Sequence, residues 1–194
     1  MKRLNFSLLI SFILTISIFA SNDDFNFDKA DDVTAVPFVD LKRYTGQWYE
    51  IARYSNKFQK QCVGNVTANY SLKDNGDFEV LNKCLKKDGQ YDDAKGKAKI
   101  VDKATNAKLK VSFFLFFYAP YWILDLDPNY EYALVGTPDR KYLWILSRTP
   151  KMNDATFQNI LRKAEKMGFE PNKLVKTPQN VETLKGEVLM KPQN

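Results

Sequence analysis

Histidine is missing from this chain of 194 residues. Histidine is the usual general base near neutral pH, the commonest metal ligand and the usual proximal ligand of haem. Its absence therefore argues against haem binding and requires any catalytic mechanism to use other side chains. We expect neither a metal ion nor a cofactor.

Cysteine is also scarce, because only Cys62 and Cys84 are present. In an exported, β-rich protein such an even pair usually forms a disulfide, and two buried free thiols are the alternative. In the strand assignment given below, Cys62 leads into the second strand and Cys84 ends the third. That hairpin would bring the two residues together, so we predict one intramolecular disulfide.

A hydrophobic run long enough to cross a bilayer comfortably is lacking as well. The longest apolar stretch, Leu8 to Phe19, is interrupted by Ser and Thr, follows the basic Lys2-Arg3 and precedes the small Ala20-Ser21. This is more typical of a signal peptide, here residues 1–20, than of a membrane anchor. Because no cysteine lies near the cleavage site, we expect no N-terminal lipoprotein cysteine. We expect export, to the periplasm or outer membrane in a bacterium and by secretion in a eukaryote.

Charge of one sign is not concentrated in any segment. The formal net charge is +6, but Lys and Arg alternate with Asp and Glu along most of the chain. Nucleic acid is therefore not an expected partner, and the charges indicate a solvated surface. Apolar residues make up 44% and aromatic residues 14% of the chain, which is enough for a sizeable core.

The sequence does contain a series of short alternating runs from Val39 onward. Turn residues such as Asn75-Gly76 and Asp88-Gly89 separate them, a pattern typical of an antiparallel barrel or sandwich. Eight strands are predicted, near residues 47–54, 65–73, 77–85, 95–101, 107–114, 121–126, 131–136 and 142–148.

The periodicity changes after Thr149-Pro150. Asp154 can cap a helix, and apolar residues recur at helical spacing as far as Gly168, which ends it. We predict one C-terminal α-helix packed outside the barrel and a short edge strand near Leu174-Val175. The predicted organisation is a signal peptide (1–20), a mobile N-terminal segment (21–37), the barrel with its helix (38–177) and a polar tail without evident structure (178–194).

The interior of an eight-stranded barrel holds either side chains or one small ligand. Alternation predicts an inner face that is apolar with a few polar tips, which suits a lipid or another hydrophobic ligand. A filled core is the alternative, and alternation alone does not separate the two. The predicted cavity residues are Ala68, Tyr70, Phe78, Val80, Asn82, Ala98, Ile100, Leu109, Val111, Phe113, Tyr121, Ile123, Tyr142 and Trp144.

Four segments in order resemble motifs of the lipocalin family. Gly46-x-Trp48 opens the first strand, Val66–Leu72 precedes the hairpin, Ala133–Gly136 precedes Thr137-Pro138, and Tyr142–Pro150 looks like the last-strand motif. The resemblance covers about residues 38–177. It is strongest to the bacterial outer-membrane subgroup, which is related to apolipoprotein D and the plant temperature-induced lipocalins.

The resemblance implies an all-β fold, an eight-stranded up-and-down antiparallel barrel with one C-terminal helix outside. It assigns structural roles to Gly46, Trp48 and Arg148, with the Arg148 guanidinium stacked on the Trp48 indole at the closed end. The sequence departs from the bacterial subgroup in lacking its lipoprotein cysteine. The cysteine pair occurs in some relatives only, and the tail has no counterpart.

The expected function is to bind, store or transport a fatty acid, lysophospholipid or phospholipid for membrane maintenance. The mouth would be built by loops 55–64, 86–94, 114–120 and 137–141. Because contiguous exposed apolar surface usually marks an interaction site, the third loop predicts transient contact with a membrane surface, and burial under a partner or lid is the alternative. The predicted rim residues are Phe114, Leu115, Phe116 and Phe117, with Lys57, Lys60 and Arg140 suited to anionic head groups.

Three other functions remain open from the sequence. Glu50, inward by parity with Trp48, could serve an isomerase-type enzyme of the same fold, although a role inside the barrel wall fits better because no catalytic partner is visible. Pigment binding and a purely structural or protein-binding role are the others. We expect a carrier and not an enzyme, present as a monomer or homodimer. Asn65 and Asn69 begin glycosylation sequons that matter only in a eukaryotic host.

Overall fold

The structure, a computed structural model, describes residues 33–114, 117–184 and 187–190. The predicted signal peptide lies outside these residues. Of the predicted mobile segment, residues 33–37 are described, and they lie against the barrel. Val33 is buried and the Val36 amide donates to the Ile123 carbonyl over 2.9 Å.

Eight antiparallel strands close into a barrel, as the sequence predicted. Each strand pairs with its neighbours along the chain, and the first pairs with both the second and the eighth. The barrel strands are β1 Gly46–Tyr54, β2 Cys62–Leu72, β3 Phe78–Lys86, β4 Tyr91–Ile100, β5 Lys108–Phe114, β6 Phe117–Leu126, β7 Tyr132–Gly136 and β8 Leu143–Ser147.

The connections at the mouth are tighter than predicted in two places. β4 begins at Tyr91 and not near residue 95, so the expected loop 86–94 is a short turn. Gly89 adopts a φ of +80° there and Asp88 accepts from the Gln90 amide, both of which favour a tight turn. Within the expected loop 114–120, Phe114 ends β5 and residues 117–120 belong to β6.

A short helix, α1 Leu41–Tyr44, precedes β1 at the closed end of the barrel. Asp40 caps it by accepting hydrogen bonds from the amides of Lys42 and Arg43. The last residue of the helix, Tyr44, is buried in the barrel core. The helix therefore delivers an aromatic side chain to the closed end just before the barrel begins.

The C-terminal helix, α2 Asp154–Lys166, packs outside the barrel, as predicted. Its N-cap is Asn153 and not Asp154, because the Asn153 side chain accepts from the first helical amides. Phe157, Ile160 and Ala164 are buried against the outer face of β7 and β8. Burying one such large side chain contributes about 1.5–3 kcal/mol, so the apolar stripe is sufficient to hold the helix in place.

The segment after α2 returns to the barrel. Strand β9 Leu174–Lys176 pairs with the upper half of β1, at the predicted edge-strand position. Gln179 then donates to the carbonyls of Glu50 in β1 and Val66 in β2, over 2.8 and 3.0 Å. β1 pairs directly with β2 only over Gly46–Tyr49, so this segment joins the two strands in their upper halves.

The tail differs from the sequence prediction, which gave no reason to expect structure from residue 178 onward. A hairpin follows, made of β10 Val181–Leu184 and β11 Glu187–Met190. Asn65 holds its start by accepting from the Val181 amide and donating to the Val181 carbonyl. The contacts that hold the start of this hairpin come from β2, which is distant in the sequence, so local sequence patterns did not predict them.

Candidate functional site: the interior and mouth of the barrel

The closed end of the barrel is sealed around Trp48. Trp48 is fully buried, and its Nε1 donates to the Tyr44 carbonyl over 2.9 Å. The Arg148 guanidinium lies 3.7 Å from the indole centroid and donates to the carbonyls of Arg43 and Gln47. The planar guanidinium stacks and donates at once, which lysine cannot do. Gly46, at a φ of +89°, leads the chain into β1 beneath this stack.

Three tyrosines fill the space above Trp48. The hydroxyls of Tyr44 and Tyr70 each lie 2.8 Å from the hydroxyl of Tyr121, and all three side chains are buried. Burial raises the pKa of Tyr70 to about 12 and raises the pKa values of Tyr44 and Tyr121 as well, so the cluster stays neutral. The tyrosines form a hydrogen-bonded floor in the lower half of the barrel.

The structure divides the predicted cavity residues into two groups. Those in the packed core of the lower half are Tyr70, Phe78, Val80, Ala98, Leu109, Tyr121 and Ile123. The others are only partly buried, or in one case exposed: Ala68, Asn82, Ile100, Val111, Tyr142, Trp144 and Phe113. Ile100 lies near the closed end of β4, and Ala68 pairs with Trp48 at the same end. Asn82 and Val111 lie halfway along β3 and β5, and Phe113, Tyr142 and Trp144 lie toward the mouth. The inner face is thus fully buried below and more exposed to solvent toward the mouth.

A bulge in β1 changes which side chains face inward. Glu50 pairs with Leu146, Ala52 with Ile145 and Arg53 with Trp144, with a register shift between Glu50 and Ala52. Ala52 therefore packs outside with the helix cluster, whereas Arg53 shares the inner face with Trp144. Simple alternation predicts Arg53 outside. The bulge has no sequence signature, so the inward position of Arg53 is visible only in the structure.

Glu50 is buried in the barrel wall with several partners. Its two carboxylate oxygens accept from Thr177 Oγ1 over 2.5 Å and from Gln59 Nε2 over 2.6 Å, and Arg53 Nε lies 3.5 Å away. Burial raises the pKa of the Glu50 carboxyl, and the Thr177 and Gln59 hydrogen bonds and the Arg53 charge oppose this. These contacts tie Glu50 to the C-terminal segment and to the β1–β2 connection.

A row of aromatic side chains runs from the rim into the barrel. Phe58 lies 5.7 Å from Tyr142, and Tyr142 stacks on Trp144 with ring centroids 5.8 Å apart. The Trp144 Nε1 donates to Gln59 Oε1 over 3.2 Å, which fixes its ring. Asn82 adds a polar atom to the inner face, since its buried Oδ1 has no hydrogen-bond partner in the described part of the chain.

The predicted apolar rim is carried by the β5–β6 hairpin. Phe114 and Phe117 are paired across it, with their rings stacked at 6.4 Å and their side chains 68% and 76% exposed. Phe113 is 43% exposed and lies over Gly96, where a Cβ would meet its ring at 2.7 Å. The other predicted rim residues, Leu115 and Phe116, lie outside the described residues.

Two further predictions concern the mouth. The Cys62–Cys84 disulfide is confirmed and joins β2 to β3 near the mouth, with Cα atoms 5.5 Å apart. Arg140, one of the predicted rim cations, also binds the C-terminal end of α2, because its Nε donates to the Met167 carbonyl. Lys57 and Lys60 remain exposed beside the β1–β2 connection.

A barrel with a buried floor, a partly exposed inner face toward the mouth and aromatic side chains at the mouth is the architecture of a small-molecule binding protein of the lipocalin type. The chain belongs to the lipocalin family, since the family model described as a lipocalin-like domain matches residues 39–179. Neither helix in the described ranges is long and apolar enough to cross a bilayer.

Similar proteins and structures agree with this assignment. The outer membrane lipoprotein Blc of Escherichia coli K12 is 46% identical over 144 residues, covering 74% of this chain and 81% of Blc. Mouse apolipoprotein D is 38% identical over 170 residues, covering 82% of this chain and 87% of that protein. The solved structure of insecticyanin from the tobacco hornworm Manduca sexta matches with a TM-score of 0.62 at 23% identity, covering 75% and 84% of the two chains, and supports the fold alone.

Proposed function

We propose that this protein is an exported carrier of a fatty acid, lysophospholipid or phospholipid, which it binds in the upper half of the barrel. The observation that carries the proposal is the division of the inner face into a packed floor and a partly exposed upper part. Trp144, Tyr142 and Val111 supply apolar surface there, and Asn82 supplies an oriented polar atom. The family assignment supports a small hydrophobic ligand.

The exposed hairpin extends the proposal to the membrane. Two phenylalanines at the tip of the β5–β6 hairpin, Phe114 and Phe117, leave apolar surface in water that a bilayer would cover. At about 25 cal/mol per Å², burial of two such side chains is worth several kcal/mol. We propose that the hairpin docks reversibly on a membrane, so that lipid moves between bilayer and barrel without crossing water.

A carrier function also accounts for Glu50, the residue considered for catalysis. Its oxygens are occupied by Thr177 and Gln59, and its nearest cation is Arg53. These contacts support a role in holding the barrel wall together. We therefore propose binding without chemical conversion of the ligand.

The test is lipid binding by wild type and by Trp144→Glu. Purified protein is analysed by native mass spectrometry with organic extraction, and the delipidated protein is titrated with a fluorescent fatty acid. We expect one lipid per barrel in wild type and none in Trp144→Glu, because a carboxylate in the apolar row opposes burial of a hydrocarbon chain. The matched control is Trp122→Tyr, a change in an aromatic side chain on the outer face. Absence of lipid binding in wild type, or unchanged binding in Trp144→Glu, would refute the proposal.

A further inference from the structure

A second concave site lies beside the mouth, in the β1–β2 connection. It is a pocket of about 350 Å³ lined by Arg53, Ser55, Asn56, Lys57, Gln59, Lys60 and Cys62. Three of these side chains are cationic and none is a carboxylate. The pocket therefore has the charge of an anion site.

Arg53 is the residue that makes this pocket more than a group of surface lysines. The β1 bulge turns it to the inner face, and its side chain is only 13% exposed. Within the described residues its buried Nε has no hydrogen-bond partner, and it forms an ion pair with a Glu50 carboxylate oxygen 3.5 Å away. Because the closest contact with Glu50 is made by Nε, the terminal nitrogens of the Arg53 guanidinium are left for a ligand in the pocket.

The pocket and the aromatic row meet at one side chain. Gln59 lines the pocket, donates to Glu50 and accepts from the Trp144 indole. Phe58, next to it in the chain, contacts Tyr142 of the same aromatic row. An amphiphile whose hydrocarbon chain lies along Trp144 and Tyr142 therefore has the cationic pocket next to its polar end.

We infer that this pocket binds the oxyanion head group, a carboxylate or phosphate, of the amphiphile carried in the barrel. This inference rests on the proposed function and adds the chemistry of the head group to it. The Arg53 guanidinium has the fork geometry that pairs with two oxygens of one carboxylate or phosphate. Lys57 and Lys60 add positive charge at the rim. Because a phosphate carries more negative charge than a carboxylate, these two lysines favour a phosphate head group.

The test compares ligands that share one hydrocarbon chain and differ in the head group. Delipidated protein is titrated by calorimetry, at a slightly alkaline pH, with oleate, oleoyl lysophosphatidic acid, oleyl alcohol and inorganic phosphate. In Arg53→Met we expect the affinity for both anionic lipids to fall by about tenfold, as for loss of one charge-assisted pair, and the affinity for the alcohol to change less than about twofold.

Two further variants control for folding and for general charge. Lys57→Met with Lys60→Met changes only exposed side chains and should selectively weaken binding of the anionic lipids, most of all the phosphate. Lys87→Met removes an exposed lysine from the β3–β4 turn at the same open end. It lies outside the pocket, so it should leave all affinities unchanged.

The outcomes separate this inference from the proposed function. If the pocket variants weaken the alcohol as much as the acids, or weaken neither, the head-group site is wrong and the carrier function stands. If inorganic phosphate binds wild type as tightly as the lysophosphatidic acid, the pocket takes a free anion and the head-group assignment is overturned. If wild type binds none of the three lipids, both proposals fail.

Discussion

Trp48 shows at the residue scale how one side chain closes a barrel. It is fully buried, is bonded to the Tyr44 carbonyl and is covered by Arg148. Arg148 in turn bonds to carbonyls of the α1 region and of β1. These contacts lie at the closed end, so we propose that they contribute to folding and not to ligand contact.

We predict that Trp48→Ala lowers the free energy of unfolding by about 3–5 kcal/mol, as is usual for loss of a buried aromatic side chain. Arg148→Ala should also destabilise, because it uncovers the indole and leaves backbone carbonyls without donors. Chemical denaturation measures both effects. Lipid affinity of the remaining folded protein should change much less, and a variant that kept wild-type stability but lost its ligand would contradict this assignment.

Glu50 makes stability depend on pH. Its ordinary pKa is 4.5, and burial raises the pKa in the folded barrel. Between these two pKa values the folded protein retains a proton that the unfolded chain has released. This contribution to stability is complete below pH 4.5 and is lost as the pH rises through the folded pKa.

We therefore predict that titration of Glu50 lowers the free energy of unfolding of wild type as the pH rises above 4.5. This decrease should be absent in Glu50→Gln. Urea unfolding at a series of pH values measures it. The matched control is Glu79→Gln, an exposed carboxyl on β3 whose pKa the Lys73 ammonium lowers, so its effect has the opposite sign. An identical pH profile for wild type and Glu50→Gln would show that Glu50 does not titrate in this way.

At the scale of elements, the β5–β6 hairpin is the part of the barrel with the most exposed aromatic surface. Register places Phe114 opposite Phe117, and both side chains are largely exposed to solvent. Both residues belong to paired β-strands, so their backbone is already ordered. A loose loop would lose more conformational entropy on docking than this hairpin does.

We predict that Phe114→Ser with Phe117→Ser slows transfer of a fluorescent fatty acid from vesicles by at least about tenfold, since the docking energy of two phenylalanines is removed. Affinity for the same fatty acid free in solution should change little. Stopped-flow transfer and solution titration give the two numbers. Loss of solution affinity as complete as in Trp144→Glu would instead make the hairpin part of the binding pocket.

The segment after α2 completes the barrel wall between β1 and β2. Strand β9 and Gln179 join the upper halves of β1 and β2, where these strands do not pair with each other. Thr177 from the same segment bonds to Glu50. The barrel wall beside the cationic pocket is therefore completed by residues more than a hundred positions away in the sequence.

At the scale of the whole molecule, the disulfide adds a covalent link near the end opposite the Trp48 floor. Cys62 and Cys84 are 22 residues apart and join β2 to β3 near the mouth. Hydrogen bonds between the strands hold the same hairpin lower down. The link therefore acts mainly by restricting the unfolded chain.

We predict that Cys62→Ser with Cys84→Ser lowers the free energy of unfolding by about 3 kcal/mol, the chain-entropy value for a loop of this length. The folded variant should bind oleyl alcohol, which has no anionic head group, as wild type does, because neither sulfur belongs to the aromatic row. Denaturation with and without reductant measures the change, and wild type in reductant should match the variant. A change below about 1 kcal/mol would show that the unfolded state is restricted in another way.

Much of this organisation was readable from local sequence. The hairpin at Asn75-Gly76, the alternation of the eight strands and the helical spacing after Asp154 each depend on residues close together in the chain. The pairing of Cys62 with Cys84 followed from the adjacency of two strands. Physical chemistry of turns and periodicity acts over a few residues, so these features need no knowledge of the closed barrel.

The sequence by itself thus determined the eight strands, the helix, the disulfide and an apolar segment at the rim, and the resemblance to the lipocalins implied the closed barrel. Only the tertiary structure decided that Tyr70 and Phe78 belong to a fully buried floor while Trp144 lies in a partly exposed part nearer the mouth. It also decided that a bulge turns Arg53 inward and that Gln179 bridges two strands. The reason is that packing density, bulge position and a distant bridging segment depend on distances across the closed barrel, and alternation along a single strand contains no information about those distances.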